Sequence, residues 1–89
     1  MNINKRYREM ANIVLEVFDK NEILTKKSLF TKLNQNNKLT LFELVYNRDC
    51  YCSGEWSFFD FSDRFQRFCD ALVRGGLAQK VARGAYIIL

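Results

Sequence analysis

Cysteine and histidine are the side chains that most often hold metals or serve as nucleophile and base, so they are the first chemistry to look for. The chain has three cysteines, Cys50, Cys52 and Cys69, and no histidine. Structural zinc takes four ligands, usually with two or more residues between paired cysteines. A Cys-x-Cys pair with one distant partner does not supply that set, so no metal and no cofactor is expected. The missing histidine removes the commonest general base. No Ser-Lys pair or glycine-rich phosphate loop replaces it. The chain is therefore expected not to be an enzyme. An odd cysteine count without an apolar leader also argues against a disulfide framework.

The cations offer a different chemistry. Fourteen Lys and Arg face ten Asp and Glu, a net charge of +4. The distribution is uneven: residues 1–35 carry +3, residues 36–63 carry −3 and residues 64–89 carry +4. Two basic ends flank an acidic middle, and basic patches attract phosphates. Lys26 and Lys27 fall in the first turn of a predicted helix, where the helix dipole disfavours positive charge by a few tenths of a kcal/mol. Two ammonium groups beside free backbone N–H groups would make a phosphate-binding corner, while two merely solvated lysines are the plainer reading.

These residues must be positioned by a small fold. At 89 residues the chain is one domain. A chain of this size buries roughly 60–65% of its unfolded surface. A first helix is predicted from about Lys5 to Lys20, with Tyr7, Met10, Ala11, Val14, Val17 and Phe18 in one stripe. Ile13 and Leu15 widen that band beyond one packed layer. Either the middle of the chain covers them or the first helix serves a homodimer. Asn21 is a reasonable helix stop.

Ile23-Leu24 suits a short strand. Thr25 caps a second helix from Lys26 to about Gln35, with Leu24 and Leu29 spaced as a hydrophobic staple. Leu29, Phe30 and Leu33 are expected to face the core. Residues 36–60 form an insertion, with a short helix expected over roughly Thr40–Tyr46, where a strand is the alternative because the period is not clean, and a loop over Asn47–Glu55. The closing stretch reads as a helix capped by Asp60 or Ser62, with Phe65, Phe68, Cys69 and Leu72 on its core face. Gly75 is expected to take the left-handed backbone that ends it. A hairpin then turns at Arg83-Gly84.

The segments ILTKKSLFTKLN and FQRFCDALVRGGLAQKVARGAYIIL, in the order helix, strand, helix, helix, hairpin, resemble the winged helix-turn-helix family. The resemblance covers about two thirds of the chain. It implies an α+β, mainly α fold: three core helices, a C-terminal β-hairpin wing and an inserted segment before the third helix. It also implies binding to double-stranded DNA, and with it transcriptional regulation, with the third helix in the major groove and the wing on the backbone. The outward face of that helix would be Asp63, Gln66, Arg67, Asp70 and Arg74, and the wing would offer Gln79, Lys80 and Arg83. Arg67 would pair with guanine and Gln66 with adenine, whose edges match their donors. Lys80 and Arg83 would hold phosphate. Asp63 and Asp70 can accept from cytosine, and they weaken the general attraction to a polyanion.

A second reading makes the same architecture a protein-binding module. Tyr46, Tyr51, Trp56 and Phe58 in the insertion are of the types enriched at interface hot spots, and core packing of the insertion is the plainer alternative. A small, Lys- and Asn-rich, proline-free chain also resembles small phage proteins, some of which inhibit a host polymerase or defence complex. No apolar run approaches the length of about 20 residues that spans a bilayer, so a cytoplasmic protein is expected.

Overall fold

A computed structural model describes residues 3–50 and 57–89. It begins with a 3-10 turn, Lys5–Tyr7, whose start is capped where the Arg6 N–H donates to Asn4 Oδ1 at 3.0 Å. There follow helix α1 (Arg8–Val17), strand β1 (Ile23–Leu24), helix α2 (Lys26–Gln35) and helix α3 (Leu39–Cys50). A second 3-10 turn (Phe58–Asp60), helix α4 (Ser62–Arg74) and strands β2 (Ala78–Ala82) and β3 (Ala85–Ile88) complete the chain. The fold is α+β, mainly α, with a winged-helix layout in which α4 takes the place of the third core helix and α3 belongs to the insertion. No helix among the described residues is long and apolar enough to cross a membrane.

The first helix is shorter than its periodicity predicts. It ends at Val17 because Phe18 turns to extended backbone (φ −110°, ψ 140°), which sends its ring into the core. Asn21 then takes a left-handed backbone at φ 72°. The extra apolar flank is covered: Ile13 is buried, Leu15 is half-buried, and α1 packs against α3. Glu9 reaches across to Arg48 at 2.8 Å.

Helix α2 starts as its sequence dictates. Thr25 Oγ1 accepts from the Ser28 N–H at 3.0 Å, and Ser28 Oγ accepts from the Thr25 N–H at 2.8 Å, a reciprocal capping box. Leu29 and Leu33 are fully buried, but Phe30 is 44% exposed. One residue is about 100° of helix, so Phe30 falls on the flank and meets Phe59 edge-on at 5.3 Å. The helix closes with Asn37 at φ 56°, the Lys38 N–H donating to the Leu33 carbonyl.

The expected Thr40–Tyr46 helix is longer at both ends, so residues 47–50 of the expected Asn47–Glu55 loop are helical, and residues 51–55 of it lie outside the described residues. Phe42, Val45 and Tyr46 give α3 a buried edge that extends it along α1 and α2. Helix α4 has Phe61 at its N-cap and no side-chain cap, so neither Asp60 nor Ser62 performs that role. Asp60 is engaged one turn earlier, accepting from the Ser57 N–H. The predicted core face holds, with Phe65, Phe68, Cys69 and Leu72 buried.

The left-handed residue after α4 is Gly76 at φ +75°, one position beyond the expected Gly75. The Gly76 N–H donates to the Val73 carbonyl and the Leu77 N–H to the Leu72 carbonyl, the paired bonds of a Schellman stop. Gly75 is needed for another reason. A Cβ there would lie 3.1 Å from Ile3 Cβ, so the buried Ile3 lies directly against the end of α4.

The antiparallel sheet has the order β1-β3-β2. Tyr86, at the centre of β3, pairs with Leu24 on one side and Lys80 on the other. A bulge between Lys80 and Ala82 leaves Val81 exposed, and the Arg83-Gly84 turn places only Gly84 at positive φ, +72°.

Two measurements check this packing. Phe65 is 4% exposed and meets Tyr86 edge-on at 6.1 Å, so Phe65→Ala should lower stability by about 3–5 kcal/mol in a denaturant melt. Gly76→Ala puts a Cβ on left-handed backbone and should cost about 1–2 kcal/mol although no neighbour is crowded.

Candidate nucleic-acid interface

The wing and α4 enclose a groove of about 720 Å³. Lys26 enters it from the start of α2, Ser62, Asp63 and Gln66 from the first turns of α4, and Lys80, Arg83 and Gly84 from the wing. Its floor is Phe65 and Tyr86. The register explains the arrangement. Phe65 holds Tyr86 against α4, and Tyr86 pairs with Lys80, so the wing cation stands beside the first turns of the helix. Burial pushes the Tyr86 phenol above its ordinary range, with Cys69 and Asp70 adding to the shift. The floor is therefore neutral at physiological pH.

The cations divide into two groups. Lys32 is bonded to Glu22 at 2.6 Å, Lys38 lies 3.7 Å from Glu16, and Arg48 contacts both Glu9 and Asp49. These pairs tie the helices and the β1 approach together. The hydrogen bond from Lys32 holds the Glu22 carboxyl below its usual range, and Arg48 does the same for Asp49. Among the described residues, Lys26, Lys80 and Arg83 make no ion pair with a carboxylate, and the same is true of Arg67 and Arg74. Their donors remain available to an outside anion.

The predicted DNA-contacting residues are not all brought together. Lys26, Gln66, Lys80 and Arg83 share the groove. Lys27 lies outside it, beside Phe30 and Phe59 on an apolar shelf. Arg67 and Arg74 line a separate notch with Asp70 and the N-terminal residues Asn4, Arg6 and Tyr7. The outward face of α4 thus splits, because Gln66 and Arg67 are successive residues about 100° apart. The contribution of Arg6 was missed in the sequence; its only signal is the basic run Lys5-Arg6 ahead of the first helix.

The predicted protein-binding aromatics fare differently. Tyr46 is 6% exposed and Phe58 is fully buried, so neither presents a surface to a partner. Their rings meet edge-on at 5.1 Å, and Phe58 meets Phe42 at the same distance. They hold the insertion down. Tyr51 and Trp56 lie outside the described residues, as does Cys52. Cys50 is half-buried and Cys69 is fully buried on α4. No group of metal-ligating side chains occurs among the described residues.

Desolvation, with Asp70 adding, pushes the Cys69 thiol well above its ordinary range. Thiolate is the reactive form, so Cys69 should be inert in the native state. In a Cys50→Ser, Cys52→Ser variant, an aromatic disulfide reagent should release no colour until denaturant is added. Rapid reaction in native buffer would show that α4 does not bury this face.

Compared with protein-family models, curated proteins and solved structures, the chain matches none. Function is therefore read from the chemistry of the groove.

Proposed function

We propose that the chain is a DNA-binding winged-helix protein, acting as a transcriptional regulator, with α4 in the major groove and the wing on the phosphate backbone. The observation that carries this reading is the groove itself: three cations free of carboxylate partners, Lys26, Lys80 and Arg83, surround Gln66 on the first turns of α4. Phosphate neutralisation supplies most of the sequence-independent affinity for DNA, and a basic rim beside an exposed helix provides it. Gln66 is exposed and can offer adenine both a donor and an acceptor. Asp63, in the same groove, can accept from cytosine. One carboxylate among three cations leaves the rim basic.

The protein-binding reading, a winged helix that blocks a host complex through its insertion, is supported less well, because Tyr46 and Phe58 are spent on the core. Titration of random and genomic duplexes at about 50 mM salt tests the DNA reading where phosphate contacts are strongest. Lys80→Ala and Arg83→Ala should weaken all duplexes alike, each flattening the salt slope by about one. Gln66→Ala should instead cost about 1–3 kcal/mol on the preferred duplex and relax the choice at one base pair. Absence of binding at micromolar protein would sink the proposal and direct mutagenesis to Tyr51 and Trp56.

A further inference from the structure

The notch on the other side of α4 has the same charge make-up as the groove: three cations, Arg6, Arg67 and Arg74, against one carboxylate, Asp70. Its volume is about 500 Å³. All three arginines are exposed, and among the described residues none is ion-paired, in contrast to Arg48 on α3. Arg6 is also held in place. The segment that carries it is pinned at one end by buried Ile3 against Gly75, and at the other by Tyr7, whose ring lies 5.9 Å from Phe68. The Asn4 side chain caps the turn between them. The backbone at Arg6 is therefore already ordered, and only its side chain remains to be fixed on binding.

Resting on the DNA reading above, we infer that Arg6, Arg67 and Arg74 form a second phosphate-binding notch, which grips the strand on the far side of the major groove from the strand held by the wing. The groove draws on residues 62–66 of α4 and the notch on residues 67–74. Their centres are six or seven residues apart, about 10 Å at 1.5 Å per residue, and they are turned apart around the helix axis. The rotation of about a quarter turn between the two sets, at 100° per residue, is what turns them toward opposite phosphate walls when the helix lies in the major groove, which is about 12 Å wide. Arginine suits this role because its planar fork binds phosphate oxygens in pairs. In this arrangement Arg67 is a phosphate contact, and base reading falls to Gln66 and its neighbours on the wing side.

The test is a salt titration of the full chain on a random-sequence duplex, with Arg6→Gln, Arg67→Gln and Arg74→Gln beside Lys80→Gln and Arg83→Gln. Each phosphate contact contributes a slope of about −0.9, or about 3.5-fold of the affinity lost between roughly 50 and 200 mM salt. Each notch variant should remove about one such factor without changing base preference, and Arg6→Lys should retain it. A duplex with one strand made of neutral methylphosphonate should lose about half of the wild-type slope. Wild-type slopes in Arg6→Gln and Arg67→Gln, with flattened slopes in the wing variants, would overturn the notch and leave the DNA reading intact. Relaxed base choice in Arg67→Gln, a flattened slope in Arg6→Lys, or a full slope on the half-neutral duplex would also overturn it. Failure of the wild-type chain to bind any duplex would overturn both readings.

Discussion

The structure turns on the seating of Phe68. This one side chain of α4 is fully buried and meets three parts of the chain: Phe42 of α3 at 5.8 Å, Phe58 of the second 3-10 turn at 6.0 Å and Tyr7 ahead of α1 at 5.9 Å. The contacts with Phe42 and Phe58 are edge-to-face and that with Tyr7 is tilted, and aromatic pairs of this kind are worth about 0.5–1.5 kcal/mol each beyond the area they bury. Their larger consequence is geometric. They fix the rotation of α4 about its own axis, and that rotation decides which of its polar residues stand beside the wing. The insertion, none of whose described residues lines the groove, thereby acts as its support. Phe58 carries Ser57 with it, whose hydroxyl donates to Glu43 and whose carbonyl accepts from Arg64 at 3.0 Å.

A second constraint is the use of charge. The acidic residues Glu9, Glu16, Glu22 and Asp49 pair with cations on the helix side of the domain. Exposed pairs of this type contribute little to stability, with a typical value of about 0–1 kcal/mol. What they do is consume positive charge away from α4. Arg67 and Arg74 of α4 and Lys80 and Arg83 of the wing make no ion pair among the described residues, so part of a modest net charge of +4 stays open on the two sides of α4. Asp63 and Asp70 interrupt these sides once in the groove and once in the notch. Their presence limits indiscriminate attraction to polyanions and leaves acceptors within a field of donors.

Much of this was legible in the residues. The Thr25 cap of α2, the Phe65/Phe68/Cys69/Leu72 face and the Arg83-Gly84 turn depend on neighbours within a few positions, and each formed as its pattern required. The errors have different causes. Phe18 left its helix because a core site was available to its ring, Phe30 stayed partly outside because Leu29 and Leu33 set the phase of α2, and Asp60 was taken by Ser57 before it could cap α4. For Phe18 a core site outweighed local periodicity, whereas for Phe30 and Asp60 one local preference displaced another, the phase of the helix in the first and the Ser57 capping box in the second.

The sequence by itself determined the order of the helices, the hairpin and the identity of the basic residues, because these follow from periodicity and backbone freedom over short spans. Tertiary structure alone decided which of those basic residues stand together. Lys26, Gln66, Lys80 and Arg83 come from three separated segments, and only the contact of Phe65 with Tyr86 and the pairing of Tyr86 with Lys80 bring them to one groove. Arg67 follows Gln66 directly and yet belongs to another surface, since a single helical step of about 100° separates them once Phe68 has fixed the face. Adjacency along the chain records local geometry, whereas adjacency in a site is set by how the buried faces pack.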